Sequence, residues 1–292
     1  MISIIITAFK EAKTVGKAIE AVLQNQIPEQ FELLVVSPDE ETLSVAKQYS
    51  KYHRQVKVVK DSGQGKPSAL NLIFKIAKGR ILILTDGDVF ISQNAIPLIL
   101  EKFESPKIGA VTGKPIPTND RKNMLGFWGH LLFNVAHKRR EKALQLKKRI
   151  FCSGYLYAFR KGIFDNIPKE TLSEDGYISH LIYEAGYKID YSPKSEVYVV
   201  YPRTFKDWII QKKRSVGGYN QIMMWIGKEI RSFKKESLGV FDVLAYARNI
   251  REVFYTLILL FARLYLWLVI FIDVNIKKKE LKKIWLRTKT TK

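Results

Sequence analysis

The chain has 292 residues, of which 47% are hydrophobic, so it can bury a large core and global disorder is excluded. Its 49 Lys and Arg residues outnumber 28 Asp and Glu residues, and the net charge of +21 indicates an anionic partner such as a lipid surface, a phosphorylated substrate or nucleic acid. The single cysteine, Cys152, excludes an internal disulfide framework, and we expect it to be a small buried side chain.

Strand and helix patterns alternate through the first third of the chain. We predict strands at residues 2–7, 31–36, 56–59 and 80–84, and helices at residues 14–24, 40–49 and 68–77. The apolar residues before position 7 indicate a core strand rather than a secretory signal, because no basic region precedes them. This alternation is typical of an α/β fold with a mostly parallel sheet and right-handed crossovers.

The middle of the chain follows less regular patterns. We predict helices at residues 95–103, 124–136 and 176–186, and strands at residues 109–112 and 151–159. The helix at 124–136 is rich in apolar and aromatic residues and runs into the basic residues 138–140. Either a core helix or a helix at a membrane interface fits that pattern.

The C-terminal part of the chain differs in composition. Residues 253–272 are apolar apart from Arg263, and the length of this run is close to the ~20 residues needed to cross a bilayer. Basic residues flank both sides, so a single crossing would put one basic flank outside, against the positive-inside tendency. A helix in the interface, or two half-helices re-entering from one face, would keep both flanks inside. We therefore expect an α/β domain over residues 1–235, on the cytoplasmic side, and a helical membrane-associated segment with a basic tail over residues 236–292.

Two aspartates follow the most apolar of the predicted strands. Residues 81–84 are all apolar and lead into Asp86 and Asp88, which Gly87 separates. Such a run indicates a strand buried on both faces, and open α/β sheets bind ligands at the carboxyl ends of such strands. Two carboxylates there suit Mg²⁺ or Mn²⁺ carrying a phosphate ligand, since both ions prefer oxygen ligands. A plain turn, in which the aspartates bond nearby backbone, explains the same residues equally well.

Three other segments carry groups suited to a nucleotide or a phosphate. The glycine-rich loop 63–65 places Lys66 beside a helix N-terminus, although a plain surface loop is the alternative. Asp39 follows the second strand at the same edge of the sheet and can bond a ribose or a base. Gln211 and Arg214 are three residues apart, so a helix places them on one face, which is either a ligand site or a solvated basic face.

Glu174 and Asp175 stand at the start of a predicted helix. Acidic residues are favoured there by capping and by the helix dipole, and this is a strong alternative to a catalytic role.

The order and spacing of these segments resemble the family 2 glycosyltransferases, which have the GT-A fold, over residues 2–222. Residues 4–11 are similar to the family's opening strand and nucleotide-contacting loop, with Lys10 where asparagine is usual. Residues 65–71 are similar to its Gly-Lys-x-x-Ala-Leu-Asn segment, and Asp39 resembles an aspartate that contacts the base. The resemblance implies that the nucleotide is contacted by Thr7, Phe9, Glu11 and Asp39.

Three more motifs extend the resemblance. Residues 86–88 match the family's Asp-x-Asp motif, and residues 174–175 match its Glu-Asp motif, whose aspartate is the catalytic base. Gln211 and Arg214 match its Gln-x-x-Arg-Trp motif, except that Ser215 replaces the tryptophan. That tryptophan provides the acceptor platform in processive polymer synthases, so processivity is not implied here.

The resemblance implies an inverting sugar transfer from a nucleotide-diphosphate sugar, either a UDP-sugar or a GDP-sugar. It implies a catalytic Glu174–Asp175 pair with Asp175 as general base. It further implies that Asp88 and Asp86 hold Mg²⁺ or Mn²⁺, and that the diphosphate is held by Lys66, Gln211 and Arg214. The acceptor would be a hydroxyl or a phosphate at a membrane surface, on a polyprenyl phosphate, a lipid-linked glycan or a polysaccharide.

Two other kinds of protein compete with this interpretation. A sugar-phosphate nucleotidyltransferase would share the sheet, the glycine-rich loop and the metal aspartates, but it needs neither the Gln211 and Arg214 pair nor an apolar C-terminal segment. A nucleic-acid-binding protein would explain the net charge of +21, but the sequence has no zinc-finger spacing, RNA-recognition motif or long basic arm. We therefore expect no nucleic-acid partner.

Overall fold

An eight-stranded sheet forms the centre of the protein, and helices pack on both of its faces. The computed structural model describes residues 1–227, 245–272 and 290–291. In chain order the elements are β1 (Ile2–Thr7), α1 (Val15–Leu23), β2 (Phe31–Ser37), α2 (Glu40–Tyr52), β3 (Val56–Lys60), α3 (Lys66–Ile76), β4 (Ile81–Asp86), β5 (Phe90–Ile91), α4 (Ala95–Lys102), β6 (Ile108–Pro117), α5 (Met124–Gln145), β7 (Leu156–Arg160), α6 (Glu174–Glu184), β8 (Lys188–Val199), α7 (Phe205–Ile226) and α8 (Ile250–Phe271).

The strands follow one another across the sheet in the order β3-β2-β1-β4-β7-β6-β8-β5. Strands β1 to β4 pair in parallel, as predicted. Strand β7 instead runs antiparallel to β4 and β6, and β5 runs antiparallel to β8, while β6 and β8 are parallel. The α/β class with a mostly parallel sheet is confirmed, because six of the eight strands point the same way and β5 and β7 run opposite to them. The direction of its later strands depends on the loops and helices between them, which local residue patterns do not encode.

The first half of the sheet sets the position of the site. Strands β1, β2 and β4 are buried on both faces, which explains their continuous apolar runs. One core cluster packs α1 and α4 against one face of the sheet, and another packs α3 and α6 against the other. Parallel pairing aligns Thr7 with both Asp86 and Val36, so the carboxyl ends of these three strands lie at one edge.

Several elements differ from the sequence prediction. Strand β8 has no predicted counterpart, because the polar residues Lys194 and Glu196 interrupt its apolar pattern. Strand β7 begins at Leu156 rather than at residue 151, because the Gly154 N–H donates to the Asp175 carboxylate and not to a neighbouring strand. Helix α5 continues well past residue 136, since the Lys and Arg residues that follow are good helix formers.

Helix α8 covers the predicted apolar segment and packs on α5 and α7. Arg121 holds its first turn through hydrogen bonds of 2.8 and 2.9 Å to the Glu252 carboxylate. The Trp128 indole donates to the Tyr255 carbonyl at 2.8 Å. The opposite face exposes the large apolar side chains of Phe254, Leu257, Phe261, Leu264, Leu268 and Phe271.

By length and composition, α8 is the one helix among the described residues that is apolar enough to cross a membrane. Arg263, midway along it, is half-buried. The predicted domain boundary at residue 235 and the basic residues of the predicted tail at positions 277–289 and 292 lie outside the described residues.

Candidate active site

A cavity of about 850 Å³ opens at the carboxyl ends of β1, β2 and β4. Small-molecule sites typically have volumes of roughly 300–1,000 Å³. Ten of the predicted site residues line this cavity: Thr7, Phe9, Glu11, Lys66, Asp86, Asp88, Glu174, Asp175, Gln211 and Arg214. Asp39, the remaining predicted residue, is not among the lining residues, although its neighbour Pro38 is.

Lys66 joins two predicted motifs, those of Asp86 and of Glu174, that are 88 residues apart in sequence. Its Nζ atom lies 2.6 Å from the Asp86 carboxylate and 2.8 Å from the Glu174 carboxylate. Burial alone would lower the pKa of Lys66, but the two carboxylates outweigh it and raise that pKa. Burial likewise opposes ionisation of Glu174, yet the Lys66 ammonium keeps the pKa of Glu174 below its ordinary value. Lys66, Asp86 and Glu174 therefore form one charged triad, joined by two ion pairs.

The side chain of Asp86 does not take part in a local turn. Its Oδ1 atom accepts the Thr7 hydroxyl at 2.8 Å as well as the Lys66 ammonium. The turn after β4 is instead closed by backbone, since the Val89 N–H donates to the Asp86 carbonyl at 3.5 Å. The plain-turn alternative thus leaves the orientation of the Asp86 carboxylate unexplained.

Asp86 and Asp88 provide two carboxylates at the cavity wall. No cluster of three or more His, Cys, Asp or Glu side chains is gathered in metal-binding geometry within the described part of the chain. Magnesium commonly takes only one or two protein carboxylates and completes its shell with substrate phosphates and water. These residues therefore fit a divalent ion that binds together with a phosphate-bearing ligand.

Asp175 is held at the start of α6 by three hydrogen bonds. The Ser173 hydroxyl and the Gly176 N–H donate to Oδ1 at 2.7 and 2.8 Å, and the Gly154 N–H donates to Oδ2 at 2.9 Å. Burial and the neighbouring Glu174 carboxylate raise the pKa of Asp175 above the ordinary aspartate value. A carboxylate that is fixed in orientation and raised in basicity is suited to accept a proton.

Asp39 has a structural role that accounts for both of its oxygens. Its Oδ1 accepts the Thr42 N–H at 3.0 Å and caps α2, while Oδ2 accepts the Lys10 N–H at 2.7 Å and the Ser37 hydroxyl at 2.8 Å. Burial opposes ionisation, but these donors lower the pKa of Asp39 to about 2. Contact of this carboxylate with a base stays a prediction.

Helix α7 supplies the opposite wall. Gln211, Arg214 and Ser215 all line the cavity, so the predicted shared face is observed. Arg214 also lies close enough to Glu174 to favour its charged form. Gln211 and Arg214 therefore do not belong to a solvated basic face, which was the alternative interpretation.

Sequence reasoning missed a group of aromatic and basic lining residues. They are Phe133, Arg140, Phe151, Tyr155, Tyr201, Lys212 and Tyr219. A signal was available for one of them, because Tyr219 lies four residues after Ser215 and so one turn further along the same helix face. Arg140 lies in the part of α5 beyond its predicted end, and Phe151 lies in a loop predicted as a strand.

Two neutral groups border Asp175. Cys152 is buried as predicted, and burial raises the pKa of its thiol to about 12. Burial, together with the charges of Asp88 and Asp86, raises the pKa of Tyr155 as well. Both side chains are therefore protonated at neutral pH and serve as packing groups or neutral hydrogen-bond donors.

The chain is similar to several characterised proteins. It is 24% identical over 230 residues to a poly-beta-1,6-N-acetyl-D-glucosamine synthase of Staphylococcus epidermidis, an alignment that covers 76% of this chain and 55% of that protein. The chain thus spans about half the length of this relative.

Solved structures show the same fold at lower identity. The mannosyltransferase PcManGT from Pyrobaculum calidifontis, solved with GDP-Man and Mn²⁺, superposes with a TM-score of 0.61 at 17% identity, covering 97% of this chain and 82% of that one. Residues 1–349 of S. aureus TarS, solved with UDP, superpose with a TM-score of 0.50 at 14% identity, covering 84% and 70%. The predicted GT-A fold is confirmed by these likenesses.

A family model described as glycosyltransferase like family 2 matches residues 1–218, which is most of the chain. The match includes β1, the Asp-x-Asp turn, α6 and the Gln211 and Arg214 pair. The chain therefore belongs to glycosyltransferase-like family 2.

Proposed function

We propose that the protein transfers a sugar with inversion from a nucleotide-diphosphate sugar to a hydroxyl or phosphate of a glycan or lipid-linked acceptor at a membrane surface. The observation that carries this proposal is the shared cavity of the Asp86 and Asp88 carboxylates and the Asp175 carboxylate. The end of the cavity at Asp86 and Asp88 suits a charged leaving group, and the end at Asp175 suits removal of a proton.

Asp175 is the proposed general base. As the acceptor oxygen forms its bond to the anomeric carbon, its proton passes to Asp175 and the bond from that carbon to the diphosphate breaks on the opposite face. The products are an inverted glycoside and a nucleoside diphosphate. General-base help of this kind contributes about 10²–10⁴-fold, and the raised pKa of Asp175 increases its basicity.

Lys66, Gln211 and Arg214 are the proposed diphosphate-binding residues. The Arg214 guanidinium can donate two parallel hydrogen bonds to phosphate oxygens. Lys66 already lies between two carboxylates, so a bound diphosphate would compete with Asp86 for the same ammonium. These cations would stabilise the charge that develops on the leaving group.

Asp88 and Asp86 are the residues that would hold Mg²⁺ or Mn²⁺. When bound, such an ion neutralises diphosphate charge. Support comes from the fit of two carboxylates to a metal that brings phosphate ligands, and from the Mn²⁺ in the related mannosyltransferase structure.

The donor and acceptor classes are proposed from relatives. Related structures hold GDP-Man and UDP, which supports a GDP-sugar or UDP-sugar donor. The related poly-beta-1,6-N-acetyl-D-glucosamine synthase supports a polysaccharide or glycolipid acceptor.

Membrane attachment is proposed through α8, with the catalytic cavity on the cytoplasmic side. One face of α8 packs on the domain while the other exposes large apolar side chains. The net charge of +21 would add attraction to anionic lipid of about 1 kcal/mol for each Lys or Arg near the surface.

The proposal is tested by incubating the protein with UDP-N-acetylglucosamine, UDP-glucose or GDP-mannose, with Mn²⁺ or with a chelator, and measuring the products. We expect release of a nucleoside diphosphate, at least tenfold less with chelator. A nucleotidyltransferase would leave these donors intact and would instead release pyrophosphate when it is given UTP or GTP together with a sugar 1-phosphate. Asp175→Asn should bind donor normally and lose at least 100-fold in turnover.

Glu184→Gln is the matched control, because Glu184 lies on the same helix with its side chain 52% exposed. It should turn over donor at the wild-type rate. Near-normal turnover by Asp175→Asn would remove this residue from the role of base.

A further inference from the structure

Two aromatic rings form a corner in the cavity wall. The ring of Phe151, in the loop before β7, and the ring of Tyr219, on α7, have centroids 6.1 Å apart and planes at 81°. Both side chains are half-buried and both line the cavity. Each ring therefore keeps part of its surface available to a ligand.

This aromatic corner lies beside the proposed base. The Cε1 atom of Tyr219 is 3.5 Å from the position that a Cβ atom on Gly176 would occupy, and the Gly176 N–H donates to Asp175. On the other side, Gly154 follows Phe151 by three residues and donates its N–H to the second oxygen of Asp175. A group resting on the two rings would thus lie next to the carboxylate.

The corner is fixed by packing. Phe151 also packs edge-on against Tyr183 of α6, at 6.3 Å between centroids. Helix α7 approaches α6 closely at Gly218, where a Cβ atom would lie only 2.7 Å from the Ser173 Cβ. Rings held in this way lose little conformational freedom when a ligand binds.

A pyranose ring matches this arrangement. Its axial C–H groups make one face apolar and slightly positive, and the face of an aromatic ring carries the negative part of its quadrupole. Its hydroxyl groups project from the rim, where Asp175 can accept a proton. A bare phosphate has no apolar face and would gain nothing from two perpendicular rings.

The position of Tyr219 also compensates for Ser215. The two residues are four apart on α7, so they lie on one helix face about 6 Å apart along the axis. Ser215 is small and lines the same cavity, so an aromatic group remains on this face one turn further on.

We propose that Phe151 and Tyr219 form the subsite for the terminal sugar ring of the acceptor, which makes the acceptor a glycan rather than a bare polyprenyl phosphate. This inference rests on the proposed function, because it places the acceptor hydroxyl at Asp175.

The test uses the full chain with UDP and Mn²⁺, and pentasaccharides of β-1,6-linked or β-1,4-linked N-acetylglucosamine as probes. Saturation-transfer NMR should show contact of sugar C–H groups with the wild-type protein. Tyr219→Ala and Phe151→Ala should weaken binding at least tenfold. Tyr219→Phe keeps the ring and should bind more tightly than Tyr219→Ala. Thermal unfolding establishes that each variant is folded.

Trp225→Ala is the matched control, because Trp225 lies on the same helix and pairs edge-on with Tyr177 at 5.5 Å but does not line the cavity. It should bind like the wild type. Two results would overturn the subsite. One is unchanged pentasaccharide binding by Tyr219→Ala. The other is transfer by the wild type to undecaprenyl phosphate in vesicles, with no binding of either pentasaccharide. Both results leave sugar-nucleotide turnover intact, whereas failure of the proposed function would abolish that turnover in the wild type.

Discussion

The Nζ atom of Lys66 lies 2.6 Å from the Oδ1 atom of Asp86. The same ammonium is 2.8 Å from Glu174, so one cation connects the first turn of α3, the end of β4 and the first turn of α6. All three side chains are about three-quarters buried or more. The charged triad is therefore part of the fold as well as of the site.

Replacing Lys66 should destabilise the protein more than replacing an exposed lysine. Lys66→Met removes the ammonium that Asp86 and Glu174 face, and removing one member of a buried ion pair typically costs about 3–5 kcal/mol. Because Lys66 is 24% exposed, we expect a smaller loss of unfolding free energy, of roughly 1–3 kcal/mol, in urea titrations at pH 7. Lys47→Met is the control, since Lys47 and Glu40 are both more than half exposed. It should cost less than about 0.5 kcal/mol, and an equal loss in both variants would contradict the prediction.

The pH dependence of turnover should follow Asp175. Burial and the Glu174 carboxylate raise the pKa of Asp175, and a general base is active only when deprotonated. The value of kcat/KM should therefore fall as the pH drops through that raised pKa. Glu174→Gln removes the neighbouring negative charge, so the acid limb should move to lower pH. Profiles of nucleoside diphosphate release between pH 4 and pH 9 test this, and a limb that moves upward would contradict it.

The sequence predicts the fold and the site best where a local residue pattern also determines where a segment lies in the fold. The apolar runs of β1, β2 and β4 predict these strands because both faces of each are buried. Asp86 at the end of β4 and Asp88 just after it lie at the ligand-binding edge. The sequence predicts a strand over residues 151–159, but residues 151–155 lie in a loop. Their true conformation depends on the bond from Gly154 to Asp175, which lies 21 residues downstream and has no local signature.

The contacts of Lys66 likewise cannot be predicted from a local residue pattern. The glycine-rich loop indicated a lysine near phosphate, but its contacts with Asp86 and Glu174 arise only when β4 and α6 meet. The aromatic corner likewise requires α7 to pack beside the loop before β7. Contacts between distant segments depend on tertiary packing, which a single sequence does not specify.

Asp39 should contribute to stability through its cap. Asp39→Ala removes the acceptor for the Thr42 and Lys10 N–H groups, and loss of such a cap costs about 1 kcal/mol. Asp39→Asn keeps a capping oxygen and should cost less. The pKa of Asp39 is lowered from 3.8 to about 2, so the ionised form stabilises the fold above pH 4, and this stabilisation is lost as the pH falls through 2.

Urea titrations at pH 7 and pH 3 measure these differences. The deficit of Asp39→Ala should be smaller at pH 3 than at pH 7. A deficit that grows on acidification would contradict the assignment. Because Asp39→Asn leaves the cap in place, its affinity for UDP and GDP separately tests whether Asp39 also contacts the base.

Gly218 should tolerate no side chain, whereas its neighbour Gly217 should. A Cβ atom at Gly218 would lie 2.7 Å from the Ser173 Cβ, so Gly218→Ala must push α7 away from the start of α6. Overpacking of this kind typically costs about 1–3 kcal/mol, and turnover should fall because Arg214 moves with the helix. At Gly217, apart from its chain neighbours and the nearby backbone of its own helix, no described heavy atom lies within 4 Å of the added Cβ. Gly217→Ala should leave stability unchanged or raise it by up to about 1 kcal/mol. Urea titration and donor turnover test both variants, and equal behaviour would refute the close packing of α6 and α7.

The exposed face of α8 should determine binding to lipid. Phe254 and Phe261 are 60% and 71% exposed on the side opposite the Arg121 and Glu252 contact, so their replacement leaves the packing of α8 on the domain in place. Burying a phenylalanine stabilises by about 1.5–3 kcal/mol, and the double variant Phe254→Glu, Phe261→Glu should bind phosphatidylglycerol vesicles at least tenfold more weakly in co-sedimentation.

Tyr52→Glu is the control, because this tyrosine is 84% exposed but lies on α2. It introduces a negative charge away from α8 and should retain most of the binding. Equal losses in both would mean that net charge, rather than the apolar face of α8, holds the protein at the membrane.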